Sequence, residues 1–210
     1  MDPPERQKKP DVVVPIRSLG QNHRGRICAH LKALNTHDRY YRFGFPATDA
    51  QIERYTGDLN FERDEIFGIY NRRLELIATA HLAYSSEDRK NAASEFGVSV
   101  LAPARGRGFG KRLFERAMMH ARNEGVQTMF LHVLSENTIM LRIARKAGAK
   151  VVRDGSESEA HLHLPPATVN SQITEMVEEH LALANYQIKV QAHQFRSWLD
   201  RFDGGWRKSG

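Results

Sequence analysis

The chain has 210 residues, 40% hydrophobic and 27% charged, enough for one well-buried domain plus an extension. Its 31 Lys and Arg against 25 Asp and Glu leave a formal charge of +6. That excess reads first as a basic solvated surface, and second as a complement to an acidic partner, nucleic acid or an anionic cofactor. No tract is long and apolar enough to span a membrane, the N-terminus lacks the apolar core of a signal peptide, and the single cysteine, Cys28, allows no internal disulfide; a cytoplasmic protein is expected.

Residues 1–10 are Pro-rich, charged and poor in apolar side chains, which predicts a disordered tail ahead of a domain over 11–166. Val12-Val-Val-Pro-Ile16 suits an opening edge strand, because Pro15 has no N–H for an inner ladder. Ile27, Leu31 and Leu34 recur at helical spacing, and Cys28 in that helix reads as a buried, inert thiol. The aromatic run Tyr40, Tyr41, Phe43 and Phe45 follows. Thr48 can N-cap a helix carrying Ile52 and Tyr55. Strand-like runs cover 65–70 and 74–84, joined by a turn near Asn71, and a polar hairpin loop covers 85–91. A strand over 92–101 ends at Pro103. Leu113, Phe114, Ala117, Met118 and Ala121 mark a helix that Gly125 stops as its C′ residue. A strand over 126–134, a helix after Asn137, and strands over 150–153 and 160–164 about an Asp154-Gly155 turn complete the domain, which Pro165-Pro166 closes. Over 167–210, Val177, Leu181, Ala184, Ile188, Gln191, Phe195, Trp198 and Phe202 alternate spacings of four and three, a heptad-type seam. The seam either folds back on its own domain or pairs between subunits, and its length favours a homodimer.

The segment Arg105-Gly-Arg-Gly-Phe-Gly110-Lys111 joins a strand to a helix. Its glycines let the backbone approach a ligand closely. The unpaired N–H groups of the first helical turn, the helix dipole and Arg105, Arg107 and Lys111 together suit a polyanion, most simply a pyrophosphate. A nucleotide P-loop is excluded: Gly106 and Gly110 are one residue too close, and Arg112 stands where a Mg²⁺-binding hydroxyl belongs. A dinucleotide fingerprint is excluded because Lys111 occupies its third glycine position.

Arg105-x-x-Gly108-x-Gly110 resembles the coenzyme A loop of the GNAT acetyltransferase superfamily. Further on, Asn137, Met140, Ile143, Lys146 and Gly148 match the frame of that superfamily's second motif, with Ala149 in place of its usual aromatic. The resemblance covers roughly residues 12–164. The Arg39-Tyr-Tyr-Arg-Phe43 segment is similar to one in the GNAT domains of bacterial protein-lysine acetyltransferases. The resemblance implies an α/β (α+β) fold: a mixed, mostly antiparallel, bent sheet flanked by helices on both faces, here with a long C-terminal helix.

It also implies acetyl transfer from acetyl-CoA to an amine acceptor, a small molecule or a protein lysine. Glu95 is the general base the resemblance points to, and burial beside Phe96 would raise its pKa toward a useful range. Val98, Val100, Leu101, Arg105, Gly106, Gly108, Gly110 and Lys111 are the expected cofactor contacts. Backbone N–H groups around Val100 and Leu101 would polarise the thioester where the strand bulges, and Asn137 would bond the pantetheine arm or cap its helix. The tyrosine that serves many members as general acid is replaced by Ala144. His132 is a weaker candidate for proton transfer, and no metal is expected: His161 and His163 share a strand face but lack a third ligand. The missing tyrosine and the long helix leave an alternative, an acyl-CoA-binding sensor or scaffold; nucleic-acid binding is a distant third.

Overall fold

The computed structural model describes residues 15–86, 88 and 93–206, with the backbone alone for 191–206. The expected tail over 1–10 lies outside these residues, as do 12–14 of the expected first strand. The strand that does form is shorter and later: β1 is Arg17–Ser18, paired with β2 (Glu65–Tyr70). Pro15 and Ile16 stand outside it, as the missing proline N–H demands.

Between β1 and β2 lie three helices, α1 (Arg24–Lys32), α2 (Thr36–Phe43) and α3 (Asp49–Gly57). Asn35 caps α2 by accepting from the Asp38 amide, and Gly44, at φ 78°, ends it. Thr48 and Gln51 form a reciprocal capping box on α3. β3 (Leu76–Tyr84) and β4 (Ala93–Val100) continue the sheet, α4 (Phe109–Asn123) follows the glycine segment, and β5 (Thr128–Leu134) and α5 (Thr138–Lys146) come next. β6 (Lys150–Asp154) and β7 (Glu157–His163) close the domain about Gly155, and α6 (Val169–Trp206) ends the described chain. β7 begins three residues before the predicted strand.

The strand order is β1-β2-β3-β4-β5-β7-β6, antiparallel throughout except for β4 beside β5. Alternation along each strand divides the side chains between two cores. Ala80, Leu82, Phe96, Met129 and Leu131 pack with α4 and α5 on one face. Ile66, Tyr70 and Leu76 pack with α1 and α3 on the other. The sheet is therefore mixed and covered on both faces, as the motifs implied.

α6 docks on its own domain through a polar face. Glu175 accepts from Arg116 Nη1 (2.5 Å), His120 Nδ1 (2.6 Å) and Asn123 Nδ2 (2.5 Å) of α4. One turn earlier Ser171 Oγ donates to Asn123 Oδ1. Further along, Ala182 is buried, the Arg17 guanidinium lies 3.7 Å from the Tyr186 ring centroid, and Lys189 Nζ donates to Tyr70 O. The seam read from the sequence is on the other side: Val177, Leu181 and Ile188 are half or more exposed, and Ile173 extends that stripe toward the helix start. Its members Gln191, Phe195, Trp198 and Phe202 belong to the part described as backbone only.

Candidate active site

The register of β4 against β5 contains the site. Ala93, Ser94 and Glu95 pair with Thr128, Met129 and Phe130, and the pairing stops there. From Gly97 onward β4 keeps its other neighbour, β3, through Val100, so the two parallel strands fork just past Glu95. Leu101 N–H donates to Ile77 O (3.0 Å) on the β3 side. Alternate strand amides point to opposite edges, so Val98 and Val100 turn their N–H groups into the fork. Two expectations change here. The Leu101 amide is already engaged, and the β3–β4 register runs without a bulge; the irregularity lies between Ile69 and Tyr70.

At the far end of the fork the chain makes a 3₁₀ turn over Ala102–Ala104 and enters the glycine segment. Gly106 and Gly108 have φ of 73° and 76°, which side-chain-bearing residues rarely adopt. Gly108 is the N-cap of α4, and the first bond of its ladder runs from Arg112 N to Gly108 O. The amides of Phe109, Gly110 and Lys111 therefore have no intrahelical acceptor, and the helix dipole adds positive potential at the same place. Gly110 is helical; a Cβ built there meets only Val100 Cγ2, at 3.9 Å. Of the basic side chains, Arg107 stacks over Phe109, 4.9 Å from its ring centroid, and Lys111 pairs with Glu115 at 3.2 Å. Arg105 has a partner the sequence did not announce: it pairs with the buried Asp38 of α2, and its Nε donates to Val100 O (3.3 Å). The glycine loop and α2 are thus tied together by an ion pair.

Glu95 points to the α1–α3 face. It stands opposite Ala83, two residues from Gly97, on the side where Ser99 Oγ meets His30 Nε2 (2.9 Å). It is exposed, whereas Phe96 points into the opposite core against Phe114, with ring centroids 5.2 Å apart. The expected burial beside Phe96 is absent because neighbouring strand residues face opposite ways. Phe130 lies beside Glu95 in register, and His132 is the next residue on that face, its ring 5.5 Å from Phe130. His132 and Glu95 thus share a face of the fork. Asn137 caps α5, accepting from Met140 N (3.1 Å). Ala144 is buried in the core. His161 pairs with Glu159 at 3.3 Å, and Cys28 is half-buried against the α1–α3 core.

Sequence reasoning missed a chain of polar groups on the same face. Asp64 is buried and accepts from Arg63 Nε (2.8 Å), His81 Nε2 (3.1 Å) and the Tyr84 amide (3.2 Å). Burial opposes its ionisation, but the His81 and Arg63 hydrogen bonds outweigh it and hold the carboxyl well below the usual carboxylate range. His81 Nδ1 meets Tyr55 Oη at 2.7 Å, and Arg42 Nη2 donates to the same phenol at 2.6 Å. These residues come from α2, α3, the β2 approach and β3. The strand carrying His81 was visible in sequence, but the partners of His81 were not.

The acetyltransferase (GNAT) family profile matches residues 30–149, more than half of the chain. The chain belongs to that family. Its structure is similar to the GNAT domain of S. lividans PAT, with 21% identity, a TM-score of 0.59, and coverage of 73% of this chain and 96% of that one. It is also similar to spermidine N-acetyltransferase from Vibrio cholerae, solved in complex with CoA and spermine, with 17% identity, a TM-score of 0.58 and coverage of 73% and 97%. A cAMP-binding acyltransferase from Mycobacterium smegmatis aligns at 19% identity and a TM-score of 0.52, covering 81% of this chain but 51% of that one. At these identities the likeness speaks for the fold. Among the described residues, no helix is long and apolar enough to cross a membrane.

Proposed function

We propose that this chain is an acetyl-CoA-dependent N-acetyltransferase acting on a primary amine by direct attack. The single observation that carries the reading is the fork: an open strand edge runs from Glu95 to a helix N-terminus whose first amides have no intrahelical acceptor. In this reading the amides of 109–111, with Arg107 and Lys111, hold the pyrophosphate. Val98 and Val100 pair with the pantetheine arm or polarise the thioester oxygen as it becomes an oxyanion. Glu95, directly or through water, takes a proton from the acceptor ammonium; its exposure gives that proton a route to solvent. The amine nitrogen then attacks the thioester carbon, and the C–S bond breaks as the tetrahedral intermediate collapses. A thiol of pKa about 8.5 leaves tolerably without a dedicated acid, consistent with alanine at position 144. Arg105, paired with Asp38, serves in this reading to fix the loop against α2.

Gly110 gives a clean test of the cofactor half. Its negative φ and open surroundings let the fold accept a side chain, whereas Gly106 and Gly108 would be strained by one. Gly110→Val is expected to fold normally and to lose most coenzyme A affinity by calorimetry. Unchanged affinity would overturn the loop assignment.

Ala144 and the exposed stripe on α6 favour a second reading, an acyl-CoA sensor whose helix mediates interaction. For either reading we propose a second copy of this chain as the occupant of the stripe. Residues 169–181 carry Glu175, Glu178 and Glu179 and no Lys or Arg, while 189–208 carry five Lys and Arg against two Asp. Antiparallel pairing sets these unlike halves side by side.

A further inference from the structure

Two arginines lie three residues apart on α2, and their surroundings differ. Arg39 is saturated: it donates to Leu34 O, Ala47 O and Lys32 O and pairs with Asp49. Arg42 is half-buried, yet among the described residues one hydrogen bond, to Tyr55 Oη, uses one of its five N–H donors, and no carboxylate lies opposite. Its other neighbours are aromatic: the guanidinium carbon lies 5.1 Å from the Phe43 ring centroid and 5.3 Å from that of Tyr55.

The position of Arg42 is built. Asp64 fixes the His81 Nε2–H by accepting it, which leaves Nδ1 as an acceptor for the Tyr55 hydroxyl, and the phenol oxygen in turn accepts from Arg42. Every link in this chain has one direction, from the guanidinium toward the carboxylate. Gly97 supplies the floor: a Cβ there would sit 2.8 Å from the guanidinium carbon, so a side chain at this position would push the guanidinium aside. Gly97 is two residues from Glu95 on the same strand face, a rise of about 6.7 Å. The base and the unpaired cation therefore flank one stretch of the fork.

We propose that Arg42 anchors a carboxylate of the acceptor, which makes the substrate class the α-amino acid; this rests on the reading of Glu95 as the base. An α-amino acid carries an ammonium and a carboxylate on adjoining carbons, the two charges that Glu95 and Arg42 complement on this one strand face. Its ammonium turns toward Glu95 and its carboxylate toward the guanidinium fork. A polyamine would set a second cation against Arg42. Tyr55 and His81 are positioning residues in this account.

The test compares free L-amino acids with their carboxamides, and with spermidine and a lysyl peptide, by initial rates of thiol release. For the wild type, kcat/KM is expected to be about 10- to 100-fold higher for an amino acid than for its amide, chiefly through KM. Arg42→Gln should erase that preference, Arg42→Lys should keep part of it, and Tyr55→Phe should weaken it, all with coenzyme A affinity intact as the check on folding. Calorimetry of N-acetyl-L-amino acids and their amides against the coenzyme A complex gives a readout that needs no turnover. Equal handling of acid and amide, a preference surviving Arg42→Gln, or better turnover of spermidine or the lysyl peptide would overturn the subsite and leave acetyl transfer standing. Loss of coenzyme A binding in the wild type would overturn the functional reading itself.

Discussion

His30 joins three elements through one ring: from α1 it meets Leu76 O (2.8 Å) at the start of β3 and Ser99 Oγ (2.9 Å) on β4. Burial lowers its pKa to about 4, against the hydrogen bond that the ring donates to Leu76 O, which favours the charged form; the Arg42 charge lowers it further. The folded value lies below the unfolded value of 6.5, so between them the unfolded chain binds more protons. The stabilisation is fully present above pH 6.5 and is lost as pH falls toward about 4, an amount on the order of 3 kcal/mol. Urea denaturation across that window should show stability falling steeply with acid in the wild type and less steeply in His30→Gln. A slope unchanged by the substitution would contradict a neutral buried ring. His30 stands on the face of β4 that Glu95 shares, so the proposed base is carried on a strand pinned from that face by a neutral imidazole.

α6 is an element whose two faces carry opposite messages. Its docked face is charged: Arg116, its side chain 2% exposed, depends on Glu175. Burial opposes ionisation of Glu175, but hydrogen bonds from His120 and Asn123 and the charges of His120 and Arg116 prevail, drawing it down to about 2. Among the described residues, removing Glu175 leaves the buried Arg116 only the half-exposed Glu178 carboxylate, at 4.0 Å from its Nε. Glu175→Ala should therefore destabilise the protein by about 3 kcal/mol, read as a lower denaturation midpoint, while the double change Arg116→Met, Glu175→Leu should recover much of the loss. A single variant as stable as the wild type would show that α6 is not held there. The undocked face carries Ile173, Val177, Leu181 and Ile188 into solvent, each half or more exposed, an apolar stripe of the kind that marks an interaction surface. Light scattering should find a dimer for the full chain and a monomer for Leu181→Glu, Ile188→Glu, with the docked face intact in both. A monomeric wild type would contradict self-pairing. The first half of α6 supplies the anion for Arg116, so removing the whole extension would destabilise the domain on which it docks.

Across the whole molecule, legibility followed the range of the interaction. The strand over 92–101 matched β4 to within a residue at each end, and Thr48 and Gly125 marked helix ends, because caps and alternation are local. The glycine segment was legible for the same reason: positive φ at Gly106 and Gly108 and a bare helix N-terminus are written in adjacent residues. What stayed hidden joins distant positions. Neither the pairing of Arg105 with Asp38 nor the Asp64–His81–Tyr55–Arg42 chain has a spacing signal, since each link comes from a different element. The burial expected for Glu95 failed for an elementary reason, that Phe96 beside it faces the other core. The docked face of α6 was missed because its contacts are polar and the apolar seam drew the reading to the opposite side. The proposed reaction is transfer of an acetyl group across the fork with Glu95 as base. Free-thiol release from acetyl-CoA over an amine panel, with mass spectrometry of the products, measures that transfer directly in the wild type and in Glu95→Gln. The account predicts an N-acetylated product from the wild type and a rate about 10²-fold lower or less in the variant, at unchanged coenzyme A affinity; no product from a wild type that binds acetyl-CoA, or equal rates for the two proteins across the pH range, would contradict it.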